Sequence, residues 1–342
     1  MTSTRTAAGR TLDRGPEPAR EVVVPDLQSM VRWHEHDYPH PLARWHTHPE
    51  IEIHLIRAGT GLALVGDHVS AFRAGHVALV GSELPHDWIS DLEPGQTIER
   101  RDAVLQIHPD RMARLAEVAP EAAEAVRLFR SAARGIEYTG ATALAAATRI
   151  EAVGVTTGTA RLHHLFALLT VLAHAPAGER RTLASAHAPH GADPVQQDRV
   201  DTVLRYLTEN LDGEVRMTTA AELVGMPPSS FSRFFQHAAG RGFAAMVRRL
   251  RIVRACRLLA DTSMPVIEVC YAVGYANLSN FNRQFRVETG TTPRAYRRAA
   301  ATAASSAAAT GDPALLPATT TSVPPPATSG AASTSAPTQR SG

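Results

Sequence analysis

The spacing of apolar residues changes character along the chain. Between Val22 and His108 they fall in short runs: Glu50-Ile-Glu-Ile-His-Leu-Ile56, Gly61-Leu-Ala-Leu-Val65, His76-Val-Ala-Leu-Val80 and Ala103-Val-Leu-Gln-Ile107. Turn-forming Ala-Gly-Thr-Gly, Val-Gly-Asp-His and Arg-Ala-Gly segments separate them. Short strands at such spacing predict an antiparallel sandwich or small barrel. From Asp110 to Ala175 the period is helical, with Leu162, Leu165, Phe166, Leu169, Leu172 and Ala173 three and four apart. That stripe predicts a helix packed on the barrel or, in a sharper reading, a dimer helix. Residues 198–298 read as helix throughout. The expected organisation is an α+β multidomain chain with six segments. These are a disordered tail (1–20), a β-barrel domain (21–108), a helical dimerisation region (109–178), a linker (179–197), an all-α domain (198–298) and an Ala/Thr/Ser/Pro tail (299–342) that has nothing to bury.

Charge divides the chain along the same lines. The net charge is only +2, yet residues 1–198 hold 19 Arg against 24 acidic residues, and residues 199–298 hold 15 Arg against 8. Every one of the 35 basic residues is arginine, and 10 of the 16 histidines lie between His34 and His108. An acidic, His-rich front and an Arg-rich back predict two different tasks. No apolar run reaches the ~18 residues of a membrane span, and the first 20 residues lack the apolar core of a secretory signal. A soluble cytoplasmic protein is expected. Cys256 and Cys270 sit in apolar helical settings and read as reduced core residues.

The back domain contains a repeat. Phe231-Ser-Arg-Phe-Phe-Gln-His-Ala-Ala-Gly240 and Phe281-Asn-Arg-Gln-Phe-Arg-Val-Glu-Thr-Gly290 share Phe-x-Arg-x-Phe-x-x-x-x-Gly at an offset of 50. Each follows a short apolar helix ending in Val-Gly, at Gly225 and Gly274. A short helix, a glycine that reverses the chain and a second helix make a helix-turn-helix. Phenylalanines four apart share one helix face and point inward. Ser229, Ser232, Arg233 and Gln236 in the first copy, and Ser279, Asn282, Arg283 and Arg286 in the second, then point outward. Such side chains suit base edges and phosphates. A single long helix, Phe243 to Asp261, joins the copies and would set the two reading helices about one DNA turn apart.

Residues 198–298 resemble the AraC/XylS-type DNA-binding domain. The stretch from Ile267 to Arg298 follows that family's signature nearly throughout, while the first reading helix departs from it, opening Met-Pro-Pro-Ser-Ser. The resemblance implies seven helices, two helix-turn-helix units and a bacterial transcription regulator. Partners implied are double-stranded operator DNA and, for an activator, RNA polymerase. A weaker third reading, an alkyl-transfer DNA-repair protein, needs a reactive thiol that neither core cysteine supplies.

In the front domain His46-Thr-His48-Pro-Glu50-Ile-Glu52-Ile-His54 places polar residues at even positions and Ile51, Ile53 and Leu55 at odd ones. On a strand the polar set would share one face. A second segment, Gly75 to His86, is a glycine-led strand ending in histidine. The pair resembles the two cupin motifs, although Gly81-Ser-Glu-Leu-Pro-His86 lacks the usual Pro-x-Gly form. The resemblance places a ligand site on His46, His48, Glu52 and His86. Those four would bind a small-molecule effector or hold a divalent metal, or serve structural roles. His34, His36, His40 and His54 read as surface or rim residues, and Asp87 and Trp88 as shaping the mouth. The function expected is an effector-responsive, homodimeric AraC-type regulator and not an enzyme. The rival is a cupin metalloenzyme, an isomerase or dioxygenase with a helical appendage.

Overall fold

A computed structural model describes residues 29–41, 43–185 and 193–310. The expected tail at 1–20 and residues 311–342 of the other tail lie outside these. Seven strands open the fold: β1 (Arg32–Tyr38), β2 (Ile51–Ile56), β3 (Thr60–Val65), β4 (His68–Arg73), β5 (Val77–Val80), β6 (His86–Ser90) and β7 (Ile98–Ile107). Helices α1 (Pro109–Val118) and α2 (Ala123–Ser131) follow, then β8 (Ile136–Tyr138), α3 (Gly140–Val155), α4 (Gly158–Ala173) and β9 (Arg180–Thr182). The strands form an antiparallel six-stranded sheet, β1-β7-β2-β5-β8-β9, facing a three-stranded sheet, β4-β3-β6.

Alternation sorts each strand between two environments. On β2, Ile51, Ile53 and Leu55 pack with Leu165, Leu168, Leu169 and Leu172 of α4 in the largest apolar cluster. Glu52 and His54, on the opposite face, point between the sheets and are also buried. On β3, Ala63 and Val65 join Ile56, Val80 and Trp88 between the sheets. Leu62 and Leu64 face the other way, into a cluster shared with the helical domain.

Two expected boundaries are corrected. Strands β8 and β9 extend the six-stranded sheet beyond β5. Residues 109–178 are therefore not a separable helical region; α1–α4 cover the outer face of the sheet, and the barrel domain does not end at 108. The expected linker 179–197 is in part structure: β9 occupies 180–182, Leu183 and Ala184 are buried, and α5 begins at Pro194. Strands of three residues are too short to show a period, and they gain stability only from the sheet edge they join.

The helical domain comprises α5 (Pro194–Glu209), α6 (Met217–Leu223), α7 (Pro228–Ala238), α8 (Phe243–Asp261), α9 (Val266–Ala272), α10 (Leu278–Thr289) and α11 (Pro293–Thr310). Helix α11 runs past the expected boundary at 299, because Ala-rich sequence with no proline sustains a helix begun by Pro293 at its first turn. The long helix α8 matches its expected limits.

The two halves are packed together. Trp45, Leu62, Leu64 and Val69 share a core with Val200, Val203, Leu204 and Leu207 of α5 and Met246, Leu250 and Val253 of α8. Arg249 donates from Nε to Val69 O at 3.0 Å, and Arg241 from Nη2 to Asp67 O at 3.1 Å. Arg257 pairs with Asp91 at 2.5 Å and Arg73 with Asp261 at 3.3 Å. Other α8 arginines are engaged within the helical domain: Arg248 pairs with Glu288 at 2.7 Å, and Arg251 donates to Leu211 O at 2.9 Å.

Candidate functional site

The two helix-turn-helix units are built alike. In the first, Gly225 adopts φ +64° and donates to Glu222 O at 3.0 Å, and Met226 N donates to Ala221 O at 2.9 Å. In the second, Gly274 adopts φ +84° and donates to Tyr271 O at 3.0 Å, and Tyr275 N donates to Cys270 O at 3.1 Å. The left-handed conformation is the one glycine adopts without a Cβ penalty. The turns correspond at an offset of 49 and the phenylalanines at 50, so the second copy has one extra residue before its second helix. That residue accompanies a change of cap. Asn277 caps α10 by accepting from Asn280 N at 2.8 Å, whereas Pro227 and Pro228 start α7 without a side-chain cap.

Phe231, Phe235, Phe281 and Phe285 are all fully buried. The ring pairs within each helix lie 5.6 Å apart, and Phe243 or Tyr296 packs edge-on against them. All eight residues expected to face outward, Ser229, Ser232, Arg233, Gln236, Ser279, Asn282, Arg283 and Arg286, are exposed. A groove beside α10 adds residues the sequence reading did not single out. Arg294 and Arg298 line it together with Asn282 and Arg286. Their i, i+4 spacing at the start of α11 was the available signal.

In the sensor half, His46, His48, Glu52 and His86 converge, with one potential ligand atom from each lying within 4.8 Å of the others. The four are buried, His46 being 9% exposed. Strand β2 presents Glu52, and His86 begins β6. His46 forms an isolated bridge to it, His46 N donating to His86 O at 3.2 Å and His86 N to His46 O at 3.0 Å. His48 lies in the bend before β2, so its place in the cluster comes from the turn and not from strand parity.

One hydrogen-bonding pattern recurs in all three imidazoles. Nδ1 of His46 meets Arg44 O at 2.6 Å, that of His48 meets Glu50 O at 3.2 Å, and that of His86 meets Leu84 O at 2.8 Å. A carbonyl only accepts, so each Nδ1 carries a proton and Nε2 is the ring nitrogen not taken by that carbonyl. His48 Nε2 lies 3.1 Å and His86 Nε2 3.5 Å from the Glu52 carboxylate. Burial works to raise the Glu52 carboxyl, but the His86, His48 and His54 imidazoles outweigh it and hold it well below the ordinary range.

Behind Glu52 lies a further layer. His54 is buried, not a rim residue: its ring stacks on Trp88 with centroids 4.0 Å apart, and Nδ1 contacts Glu52 Oε1 at 3.0 Å. Its Nε2 lies 3.3 Å from Asp102, which also meets His36 Nδ1 at 3.1 Å and the Arg101 guanidinium. Burial opposes the charged form of Asp102, yet His36, His54 and Arg101 hold its carboxyl far below the usual value. Gln106 Nε2 donates to Glu52 Oε2 at 3.3 Å. These residues line a cavity of about 30 Å³ that also reaches His34 and His36. Trp88 likewise stands inside the sandwich and not at its mouth. Asp102, Val104 and Gln106 alternate on β7, and polar residues on one face of an otherwise apolar strand were the missed signal.

Asp87, next to His86, lines the same cavity, as expected of it, and also lies near Asp201 of α5. Burial first, and Asp201 of α5 second, push its carboxyl up to about 7. Cys256 and Cys270 are buried and free, and burial pushes the Cys256 thiol up to about 12. A thiol so held is a poor nucleophile at neutral pH, which removes the alkyl-transfer reading.

The family model described as an AraC-like ligand binding domain matches residues 29–188, and the one described as a helix-turn-helix domain matches residues 220–299. The regulatory protein PocR of Salmonella typhimurium is 32% identical over 99 residues, covering 29% of this chain and 33% of that protein. The arabinose operon regulatory protein of Escherichia coli is 30% identical over 105 residues, covering 30% of this chain and 36% of that protein. The chain thus matches about a third of the length of these relatives. A solved AraC-type DNA-binding-domain protein from Chromobacterium violaceum is 23% identical, with a TM-score of 0.29 over 31% of this chain and 95% of its own. Among the described residues no helix is long and apolar enough to cross a membrane. The relatives are named as transcription regulators and not as enzymes, which sets the isomerase or dioxygenase alternative aside. A sandwich sensor matched by the one model, followed by a double helix-turn-helix matched by the other, makes this chain a member of the AraC family of regulators.

Proposed function

We propose that the chain is a sequence-specific, DNA-binding transcription regulator whose affinity or conformation answers to a small effector held in the sensor half. The observation that carries this reading is the sorting of α7 and α10: Phe231, Phe235, Phe281 and Phe285 are buried and the eight polar positions around them are exposed. Arg233, Arg283 and Arg286 supply forks for guanine or phosphate, and Asn282 and Gln236 suit adenine. Arg294 and Arg298 add positive charge beside α10 for backbone phosphates.

The effector site is His46, His48, Glu52 and His86. Three imidazoles, each held at Nδ1 by a backbone carbonyl, and one carboxylate fit a divalent transition-metal ion bound through Nε2, and a cavity of about 30 Å³ has room for one or two water-sized groups beside it. Such an ion would bring its positive charge to the Glu52 carboxylate. Residues His54, Asp102 and Gln106 hold Glu52 in place, as outer partners of a ligand carboxylate do.

Homodimerisation, cytoplasmic location and, for an activator, contact with RNA polymerase complete the proposal. Leu144 and Val155 of α3 stay 49% and 84% exposed, apolar side chains that a second copy would cover. The experiment is selection of binding sites from random duplex DNA by the purified full chain, followed by footprinting. Protection in two adjacent major-groove segments on one face of the duplex supports the reading; recovery of unrelated sequences counts against it.

A further inference from the structure

Two residues of the sensor site, His46 and His86, are mounted on segments that also contact the helical domain. Trp45, adjacent to His46, is 2% exposed and belongs to the apolar cluster shared with α5 and α8. Its backbone N–H donates to Asp201 Oδ1 of α5 at 3.0 Å. Arg44, whose carbonyl accepts from His46 Nδ1, pairs through Nη2 with Asp198 Oδ1, also at 3.0 Å. Strand β6 repeats the arrangement. His86 belongs to the four-residue cluster and Trp88 lines the cavity, while Asp87 lines the cavity and lies near Asp201, and Ile89 packs against the shared cluster. The segments at 44–46 and 86–89 are themselves bridged, His46 to His86.

We infer that occupancy of the His46, His48, Glu52 and His86 site is transmitted to the DNA-binding half through Arg44, Trp45 and β6, with Asp198 and Asp201 of α5 as the receiving residues. The inference rests on the reading of those four residues as an ion site. Binding draws imidazole nitrogens toward ~2 Å bonds with one centre, and the donors now spread over as much as 4.8 Å. Drawing the donors together pulls on His46 and His86, whose main chains are bridged to each other and backed by the α5 contacts of Arg44 and Trp45. Packed interfaces respond to such small shifts as discrete rearrangements, since their interiors are too dense to deform smoothly. Helix α5 leads directly into the first helix-turn-helix, and α8, docked on the same sheet, joins the two units. A change at Asp201 thus reaches the elements that place both reading helices.

The test is hydrogen exchange by mass spectrometry on the full chain, with and without zinc, alongside calorimetric measurement of zinc binding. In the wild type, zinc is expected to change the exchange of residues 43–47 and of α5 by about fivefold or more. Asp201→Ala should keep zinc binding and lose the α5 response; Asp198→Ala, which removes a half-exposed ion pair, should weaken it. If Asp201→Ala does not fold, Asp198→Ala carries the comparison. A wild type that binds zinc while α5 exchange stays constant overturns the inference and leaves the site reading standing. So does Asp201→Ala, or Asp198→Ala in its place, responding as the wild type does. A wild type that binds no zinc overturns the site reading, and the inference falls with it.

Discussion

Two substitutions on α10, two residues apart, should fail in opposite ways. Phe285 is fully buried, with Phe281 at 5.6 Å and Tyr296 at 5.7 Å, in a cluster that includes Cys256, Leu259 and Cys270. Truncating it to alanine removes the ring and leaves a cavity, a loss of about 3–5 kcal/mol. Set against the ~5–15 kcal/mol of a whole domain, that is a large share, and the melting temperature should fall by roughly 12–40 °C. Arg283 is exposed and makes one side-chain bond, from Nη2 to Asn280 Oδ1 at 3.0 Å. Arg283→Ala should change stability by no more than about 0.5 kcal/mol. Loss of a base contact should instead weaken specific DNA binding by about 1–3 kcal/mol, or roughly 5–150-fold, at one operator position. Thermal unfolding and fluorescence anisotropy on the selected duplex separate the two quantities. The face assignment is refuted if Arg283→Ala destabilises the fold as Phe285→Ala does, or folds normally and binds DNA with unchanged affinity and specificity.

Other outcomes follow from the sensor and the turns. Burial alone would raise the Glu137 carboxyl, but His76 and Arg181 outweigh it and hold it at about 2, below its ordinary 4.5. Its contribution, about 3 kcal/mol, is therefore complete above pH 4.5 and lost as pH falls toward 2; Glu137→Gln should flatten that part of the acid-unfolding curve. Gly274→Ala should cost more stability than Gly225→Ala in urea titrations. Both substitutions strain a positive φ by about 1–2 kcal/mol, but only at Gly274 would a Cβ fall 2.2 Å from Leu211 O. Calorimetry with and without a chelator should show a zinc-dependent rise in thermal stability of the sensor half; Glu52→Gln should lose that rise, and an identical response in both proteins would contradict the ion site.

The helical domain was legible because its signals are local. Phenylalanines four apart, a glycine at each turn and a repeat near 50 residues are written within short windows, and helix faces follow from spacing alone. The same locality explains the errors. Strands β8 and β9 have three residues each and exist because β5 offers an edge, which no window around Ile136 or Arg180 contains. His54 looked like a rim residue since polar side chains alternating with Ile53 and Leu55 normally face water. Here a second sheet covers that face, and the Glu52 and Asp102 carboxylates lie against the ring. The four-residue cluster was legible as a resemblance, not from parity: His48 reaches it from a bend stabilised by its own bond to Glu50 O. The docking of Leu62, Leu64 and Val69 onto α5 and α8 joins residues more than a hundred positions apart. Only the assembled structure shows that apolar residues on the outer face of a strand have a helical partner.

The central claim, that α7 and α10 read a DNA sequence, is tested most directly by one ratio. Equilibrium binding of the full chain is measured at one fixed salt concentration, to the selected duplex and to a shuffled duplex of equal length and composition. Phosphate contacts contribute equally to both, so their ratio isolates recognition by the exposed side chains of the two helices. The account predicts a preference of about 10³-fold or more. Equal affinity for the two duplexes would contradict it, leaving a basic helical domain that binds DNA by charge alone.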